Sequence, residues 1–240
     1  MFQGFPASTE QFFMDLRFHN DPSFFHQEHD RYVRDVQTPF YEFGSEMAEE
    51  LLKLDDEMEF RPHKLLSRIH RDTRFSNDKT PYRDHLWLYF KRRSEDRYQS
   101  VGFWFEYGPE RLSWGLATWG ENRPLMDRFR RELEADPYRY LGIISKCQLQ
   151  ERGLVLTSSQ FKRLSIPPKL PMALIPWYLT RDFSLSQRAP DLREAASRRI
   201  FTHVRNDFEA MGPIYLMLRG MQDELAAEEK KLSEGTDKRV

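Results

Sequence analysis

The sequence predicts an α+β fold: a single domain with a mainly antiparallel sheet, several flanking helices and a helical C-terminal part. Apolar residues alternate with period two only in the middle of the chain, around residues 86–119, which indicates strands there. On both sides they recur at every third or fourth position, which is typical of helices. No repeat or obvious linker interrupts the chain. We therefore expect one domain over residues 1–229 and a frayed polar tail over residues 230–240.

The N-terminal region is predicted to be helical. Ser8 and Gln11 have the spacing of a capping box at the start of a short first helix. Asp21 and Pro22 open a second helix, because Asp can cap the first amide groups and Pro has no amide to satisfy. Pro39 should end or kink that helix. A third helix follows, with apolar residues at steps of three and four: Phe40, Phe43, Met47, Leu51 and Leu54.

The central region is predicted to form strands. Residues 86–90, LWLYF, are a short aromatic run, and residues 98–119 indicate a hairpin around the turn sequence Gly-Pro-Glu at 108–110. A short turn of this kind joins antiparallel neighbours. Helices should then resume after Asn122 and after Asp136, since each can cap a helix that has Pro in its first turn.

The C-terminal half is predicted to be mostly helical. Residues 153–158, GLVLTS, suggest one further strand, and residues 165–190 hold five of the 14 prolines in what should be an ordered, packed loop. A helix should begin at Asp191 and break at Gly-Pro, residues 212–213. A last helix is expected over about residues 214–227.

Composition excludes several classes of protein. The net charge of −1 gives no general attraction to nucleic acid or to anionic membranes. The longest largely apolar run, residues 172–179, contains Pro and is too short to span a bilayer. The start has neither the basic nor the apolar segment of a secretory signal, so we expect a cytoplasmic protein. One cysteine, Cys147, excludes an internal disulfide framework and a Cys-based zinc site.

The sequence indicates neither a metal site nor a particular cofactor. His26 and His29 stand three positions apart on a predicted helix, a spacing that can chelate a divalent ion. No further ligand accompanies them, so solvated helix histidines are the favoured interpretation. We predict that folding requires no tightly held transition metal.

The densest polar cluster is RIHRDTRFSNDKTPYRDH, residues 68–85, between a predicted helix and a predicted strand. Long connections inside compact domains are often functional. Guanidinium forks and an ammonium suit phosphate or carboxylate recognition, hydroxyls can assist, and carboxylates can orient the cations, act as a base or ligate a metal. The candidate ligand-binding residues are Arg71, Arg74, Ser76, Lys79 and Tyr82, and the candidate catalytic residues are Asp72 and Asp78.

A protein-kinase interpretation of this cluster fails. Residues 70–77, HRDTRFSN, fit the H-R-D-x-x-x-x-N catalytic loop, but phosphoryl transfer in kinases also needs a Gly-rich loop and a D-F-G metal ligand. No two glycines stand in a G-x-G arrangement. Residues 181–184, RDFS, have Ser in place of Gly and lie far beyond the usual spacing.

The stretch RIHRDTRFSNDKTPY, residues 68–82, resembles the hallmark R-I-x-R-D-x-R-F-S-x-D-K-x-P-Y of the bacterial domain of unknown function 2461 family. Residues 19–25, HNDPSFF, resemble a second family stretch, with departures at His19, Asp21 and Phe24. The resemblance covers roughly residues 3–140 well. It implies no established activity, but it points to the same loop as the candidate site.

Two hypotheses remain open. In the first, the loop binds an anionic small molecule and is a candidate for catalysis, with Trp104, Trp114 and Trp119 lining the apolar part of a pocket. In the second, the same charges form an internal ion-pair network of a non-enzymatic module. The Pro-rich segment and the C-terminal helices would then provide a surface for a partner or a homo-oligomer. Whether the loop cations converge on an open site or are closed off by carboxylates separates the two.

Overall fold

The computed structural model describes residues 1–74, 77–96, 98 and 100–237. Its strands are β1 Leu86–Phe90, β2 Val101–Gly108, β3 Arg111–Thr118, β4 Val155–Leu156 and β5 Ser184–Arg188. Its α-helices are α1 Ala7–Phe18, α2 Pro22–Gln27, α3 His29–Tyr32, α4 Thr38–Leu52, α5 Pro62–Leu65, α6 Arg123–Ala135, α7 Pro137–Lys146, α8 Ile175–Tyr178 and α9 Arg198–Asp237. A π-helical segment covers Val33–Gln37, and short 3-10 helices cover Met172–Leu174 and Leu192–Ala196.

The strands form one antiparallel sheet in the order β1-β2-β3-β5-β4. Strand β1 pairs with β2 so that Leu88 lies opposite Phe105, and the pair β4–β5 is likewise antiparallel. The α+β class, the central hairpin and its turn at residues 109–110 are confirmed. No helix in the described part of the chain is long and apolar enough to cross a membrane.

The contacts of the chain group into two compact units, and the first unit comprises Met1–Ser94, Phe103–Gly115 and Gln187–Asp207. Its core is rich in phenylalanine. The ring of Phe43 stacks on that of Phe105 with centroids 4.3 Å apart, and Phe201 meets Phe43 edge-on at 5.5 Å. Such aromatic pairs add to the stabilisation that comes from burying their area.

The second unit comprises Glu95–Gly102, Leu116–Ser186 and Phe208–Val240. Its core holds Phe129, Trp177, Phe183 and Leu218, all buried. The predicted single domain over residues 1–229 and the frayed tail remain predictions.

Two prolines near the N-terminus change how the helices form. Helix α1 begins at Ala7 behind Pro6, and no side chain caps it, so the predicted capping box at Ser8 is wrong. Pro39 lies in the first turn of α4 and has no amide to donate to the carbonyl of Asp35 four residues earlier. The buried hydroxyl of Thr9 donates to that carbonyl at 2.5 Å, which satisfies it. The π-helical segment before α4 lies at this break, as expected where the regular hydrogen-bond ladder is interrupted.

The C-terminal half departs from the prediction in three places. The α-helix predicted from Asp191 begins only at Arg198, after the short 3-10 helix Leu192–Ala196. The Pro-rich segment is ordered, as expected, but it also contains α8 and β5, because tertiary pairing and burial override weak local propensities. Helix α9 continues through residues 212–213, so the predicted break there is wrong. Pro213 has no amide to donate a hydrogen bond to the carbonyl of Glu209, four residues earlier. Both residues are exposed, so water can hydrate that carbonyl. The buried flanking residues Ile214 and Tyr215 hold the helix in place.

The cap of α2 provides a test of local helix chemistry. The Asp21 carboxylate accepts from the amides of Ser23 and Phe24 at 2.8 and 3.0 Å. Replacing Asp21 with Ala should cost about 1 kcal/mol, because these amides lose a partner that water replaces only in part. Urea unfolding would measure this cost. Asp30→Ala, on an exposed side chain of α3, serves as the control, and equal losses in both variants would contradict the assigned cap.

Candidate functional site

The charged loop begins and ends in a short antiparallel ribbon. A β-bridge joins His70 to Tyr82. Backbone amides on either side of this bridge donate across the ribbon at 2.8 Å, from Arg71 to Pro81 and from Arg83 to Ile69. We call residues 69–71 and 81–83 the ribbon, and the residues between them the charged loop. The ribbon fixes where the loop starts and ends.

Pairing in the ribbon decides which side chains share a face. Side chains alternate across a strand, so His70 and Tyr82 project from one face. Arg71 and Arg83 project from the other face and are diagonal neighbours across the two strands. The ribbon therefore brings together two arginines that are twelve positions apart in the sequence.

Tyr82 anchors the ribbon on the side away from the arginines. It is 5% exposed, and its ring stacks on Phe25 with centroids 4.4 Å apart. Asn20 completes the anchor, because its Oδ1 accepts from the amide of Tyr82 at 2.9 Å and its Nδ2 donates to the carbonyl of Tyr82 at 3.0 Å. Burial raises the pKa of Tyr82, so its hydroxyl stays protonated. The structure thus places this candidate ligand-binding residue away from the arginine face.

Arg74 and Lys79 lie at the exposed rim of the charged loop. The Arg74 Nη2 lies 2.7 Å from the Asp72 Oδ2, and the two side chains are 76% and 53% exposed. The Lys79 ammonium donates to the carbonyl of Thr73 at 2.8 Å. The Arg74 side chain lowers the pKa of Asp72 to about 2, so this carboxylate is ionised at neutral pH. Ser76, the remaining candidate, lies outside the described residues.

Asp78 links the charged loop to the ribbon. Its Oδ1 accepts from the amide of Thr80 at 2.9 Å and from the Thr80 hydroxyl at 2.7 Å. Its Oδ2 lies 3.0 Å from the Arg71 Nη1. The backbone of Thr80, above all, lowers the pKa of Asp78. Both candidate catalytic carboxylates are therefore ionised, which suits orienting a cation and does not suit donating a proton near neutrality.

Arg83 is the cation that the sequence-based candidates lack. Its guanidinium lies over the Trp87 ring, 4.9 Å from the centroid. In the part of the chain that the structure describes, no carboxylate pairs with it, and the buried Nε atoms of Arg83 and Arg71 have no hydrogen-bond partner. Burial, and then the charge of Arg71, lowers the pKa of Arg83. Positive charge is thus concentrated on the arginine face of the ribbon.

The tryptophans do not all line a pocket. Trp114 is completely buried and its Nε1 donates to Asp207 at 2.9 Å, so its predicted role at an open pocket is wrong. Trp104 and Trp119 are partly exposed. Among the described residues, no group of three or more His, Cys, Asp or Glu side chains is placed to hold a metal ion.

The fold and the site together define an α+β protein that carries a paired-arginine ribbon and a charged loop. The chain belongs to the family described as "Conserved hypothetical protein (DUF2461)", whose model matches residues 8–216. The family resemblance predicted from the sequence is confirmed. No curated protein and no solved structure gives a significant match.

Proposed function

We propose that this protein binds a phosphate- or carboxylate-bearing small molecule in the cytosol, at the arginine face of the ribbon. The observation that carries the proposal is the neighbouring pair of guanidinium groups, Arg71 and Arg83, of which only Arg71 has a carboxylate partner among the described residues. Two cations held close together repel one another until an anion lies between them. Guanidinium forks also match phosphate and carboxylate oxygens in geometry.

The rim cations support the same proposal. Arg74 and Lys79 are exposed, and their contacts include an exposed carboxylate and a backbone carbonyl. Exchanging such solvated contacts for a ligand costs little, because exposed ion pairs contribute little to stability. In this proposal Asp78 orients Arg71, and Asp72 holds Arg74. If the protein is an enzyme, either carboxylate is the candidate general base.

The alternative is an internal ion-pair network in a module without enzymatic activity. The pairs Arg74–Asp72 and Arg71–Asp78 favour it, because the first joins opposite charges within the charged loop and the second joins the loop to the ribbon. Arg83, which has no carboxylate partner among the described residues, favours ligand binding instead, since a purely structural network gains nothing from an additional, partly buried cation.

The test is thermal unfolding of the parent protein and of Arg83→Gln, with and without phosphate. Phosphate should raise the Tm of the parent, because an anion that binds only the folded state stabilises it. Arg83→Gln should abolish that shift. Without phosphate, this variant should melt at the parent temperature or above, because the repulsion between Arg71 and Arg83 is relieved.

The matched control is Arg193→Gln, which removes an exposed arginine whose partner is Asp191. It should keep the full phosphate shift. A parent protein whose Tm does not respond to phosphate or to small carboxylates, together with destabilisation by Arg83→Gln, would favour the internal ion-pair network instead.

A further inference from the structure

A polar pocket lies beside the turn of the β2–β3 hairpin. It has a volume of about 350 Å³ and is lined by Glu106, Glu110, Arg111, Ser113 and Arg188. This volume is at the small end of the range for ligand pockets. Its lining consists of charged and hydroxyl side chains of both signs, in contrast to the cationic arginine face of the ribbon.

Glu106 has unused hydrogen-bonding capacity. Its side chain is 20% exposed, and its three polar neighbours among the described residues all lie at long distances. They are the Ser113 hydroxyl at 3.3 Å, the His85 Nε2 at 3.4 Å and the Arg111 Nη1 at 3.5 Å. Charge-assisted hydrogen bonds are usually about 2.7–2.9 Å long. Glu106 can therefore accept a short hydrogen bond from an incoming cationic group.

A chain of contacts positions His85 beside Glu106. The His85 Nδ1 lies 2.8 Å from the Asp84 Oδ1, and the other oxygen of Asp84 accepts from the Arg17 Nε at 2.8 Å. The backbone at Gly108 lies close to His85, and only glycine fits there, because a Cβ at position 108 would lie 2.6 Å from the Cβ of His85. The position of Glu106 is thus supported from behind before any ligand arrives, which favours tight binding.

Two arginines of the pocket can bind a negatively charged group. The Arg188 Nη2 donates to the carbonyl of Glu110 at 3.0 Å, and no carboxylate among the described residues pairs with Arg188. The contact of Arg111 with Glu106 is long, at 3.5 Å. Both guanidinium groups therefore have donors available for a carboxylate.

We propose that this pocket binds a small zwitterion with a free ammonium and a free carboxylate group, the chemistry of an α-amino acid. The ammonium donates to Glu106 and the carboxylate accepts from Arg111 and Arg188. A purely anionic ligand would meet the carboxylates of Glu106 and Glu110, and a purely cationic one would meet the two arginines. Only a ligand with both charges places each end opposite its complement.

The test is calorimetric titration of the full chain with a panel of amino acids: glycine, alanine, serine, aspartate and glutamate. Acetate and methylamine each carry one of the two charges and serve as ligand controls. The arginine face of the ribbon can itself take a carboxylate, so the decisive titrations use Arg83→Gln, which disables that face. At least one amino acid should bind to this variant while both single-charge controls fail to bind. Glu106→Gln and Arg188→Gln should each weaken binding at least about tenfold, the usual effect of losing a charged hydrogen bond.

One further variant shows whether binding depends on this pocket or on some other basic surface of the protein. Arg199→Gln, on an exposed arginine of α9, should leave amino-acid binding unchanged. Circular dichroism would verify that each variant is folded. Absence of binding to Arg83→Gln by the whole panel, equal binding of acetate to that variant, or full binding when Glu106→Gln and Arg188→Gln are each added to it would overturn the proposal.

Discussion

Replacing Arg219 with Ala should cost about 3–5 kcal/mol of unfolding free energy, because it removes one partner of a buried ion pair. Arg219 lies on α9 and is 3% exposed. Its Nη1 lies 2.5 Å from the Glu95 Oε1, and its Nη2 donates to Asp223 at 3.0 Å. The Glu95 side chain is itself largely buried, so losing its cation leaves a carboxylate that water reaches poorly. Equilibrium urea unfolding measures the loss.

A second arginine of the same unit provides the control for this prediction. Arg128 contacts three carboxylates, those of Glu132, Glu224 and Glu228, at 2.6–3.4 Å. The side chains of Glu224 and Glu228, both on α9, are more than half exposed. Arg128→Ala should therefore destabilise the protein far less than Arg219→Ala.

The double variant Arg219→Ala/Glu95→Ala isolates the ion pair. It should be less destabilised than the sum of the two single variants, because removing Glu95 also removes the buried carboxylate that has lost its contact with Arg219. Additive losses would show that packing of the arginine stem, and not the ion pair, accounts for the effect.

Local sequence determined most of the elements that could be predicted. The side chains of Asp21 and Asn122 each accept hydrogen bonds from backbone amides, as expected of a helix cap. The turn at residues 109–110 joins the two strands of the predicted hairpin. These features depend on neighbours within a few positions. The continuation of α9 past Pro213 depends instead on burial of the flanking residues, which local propensity does not encode.

The candidate site divides in the same way. Its charged loop could be located from the density of charges alone, and pairs such as Arg74–Asp72 are two positions apart. The missed residues are Arg83 and Asn20. Arg83 joins Arg71 only through pairing across the ribbon, and Asn20 reaches Tyr82 from 62 positions away. Residue alternation on the two sides of the loop was the available signal for Arg83. No local pattern indicated the contact of Asn20.

Glu59 should make the stability of the protein depend on pH on the acid side. Its side chain accepts from the Arg61 Nε at 2.8 Å and from the Arg61 Nη2 at 2.6 Å. It also accepts from the backbone amides of Phe60 and Arg61, each at 3.1 Å. The Arg61 side chain, above all, lowers the pKa of Glu59 from its ordinary 4.5 to about 2 in the folded state.

The sign of the effect follows from this lowered pKa. The folded state binds the proton more weakly than the unfolded state, so the stabilisation by Glu59 is complete above about pH 4.5 and disappears as the pH falls towards 2. The lowered pKa measures how strongly the folded state stabilises the Glu59 carboxylate, and water reduces this stabilisation because Arg61 is half exposed. We therefore expect Glu59→Gln to cost about 2–3 kcal/mol of unfolding free energy at neutral pH. The difference from the parent should shrink steadily in urea unfolding experiments between pH 5 and about pH 3.

The exposed Glu49→Gln of α4 controls for the loss of one surface carboxylate. A difference between Glu59→Gln and the parent that stays constant across this range would mean that shape, and not charge, is what Glu59 contributes.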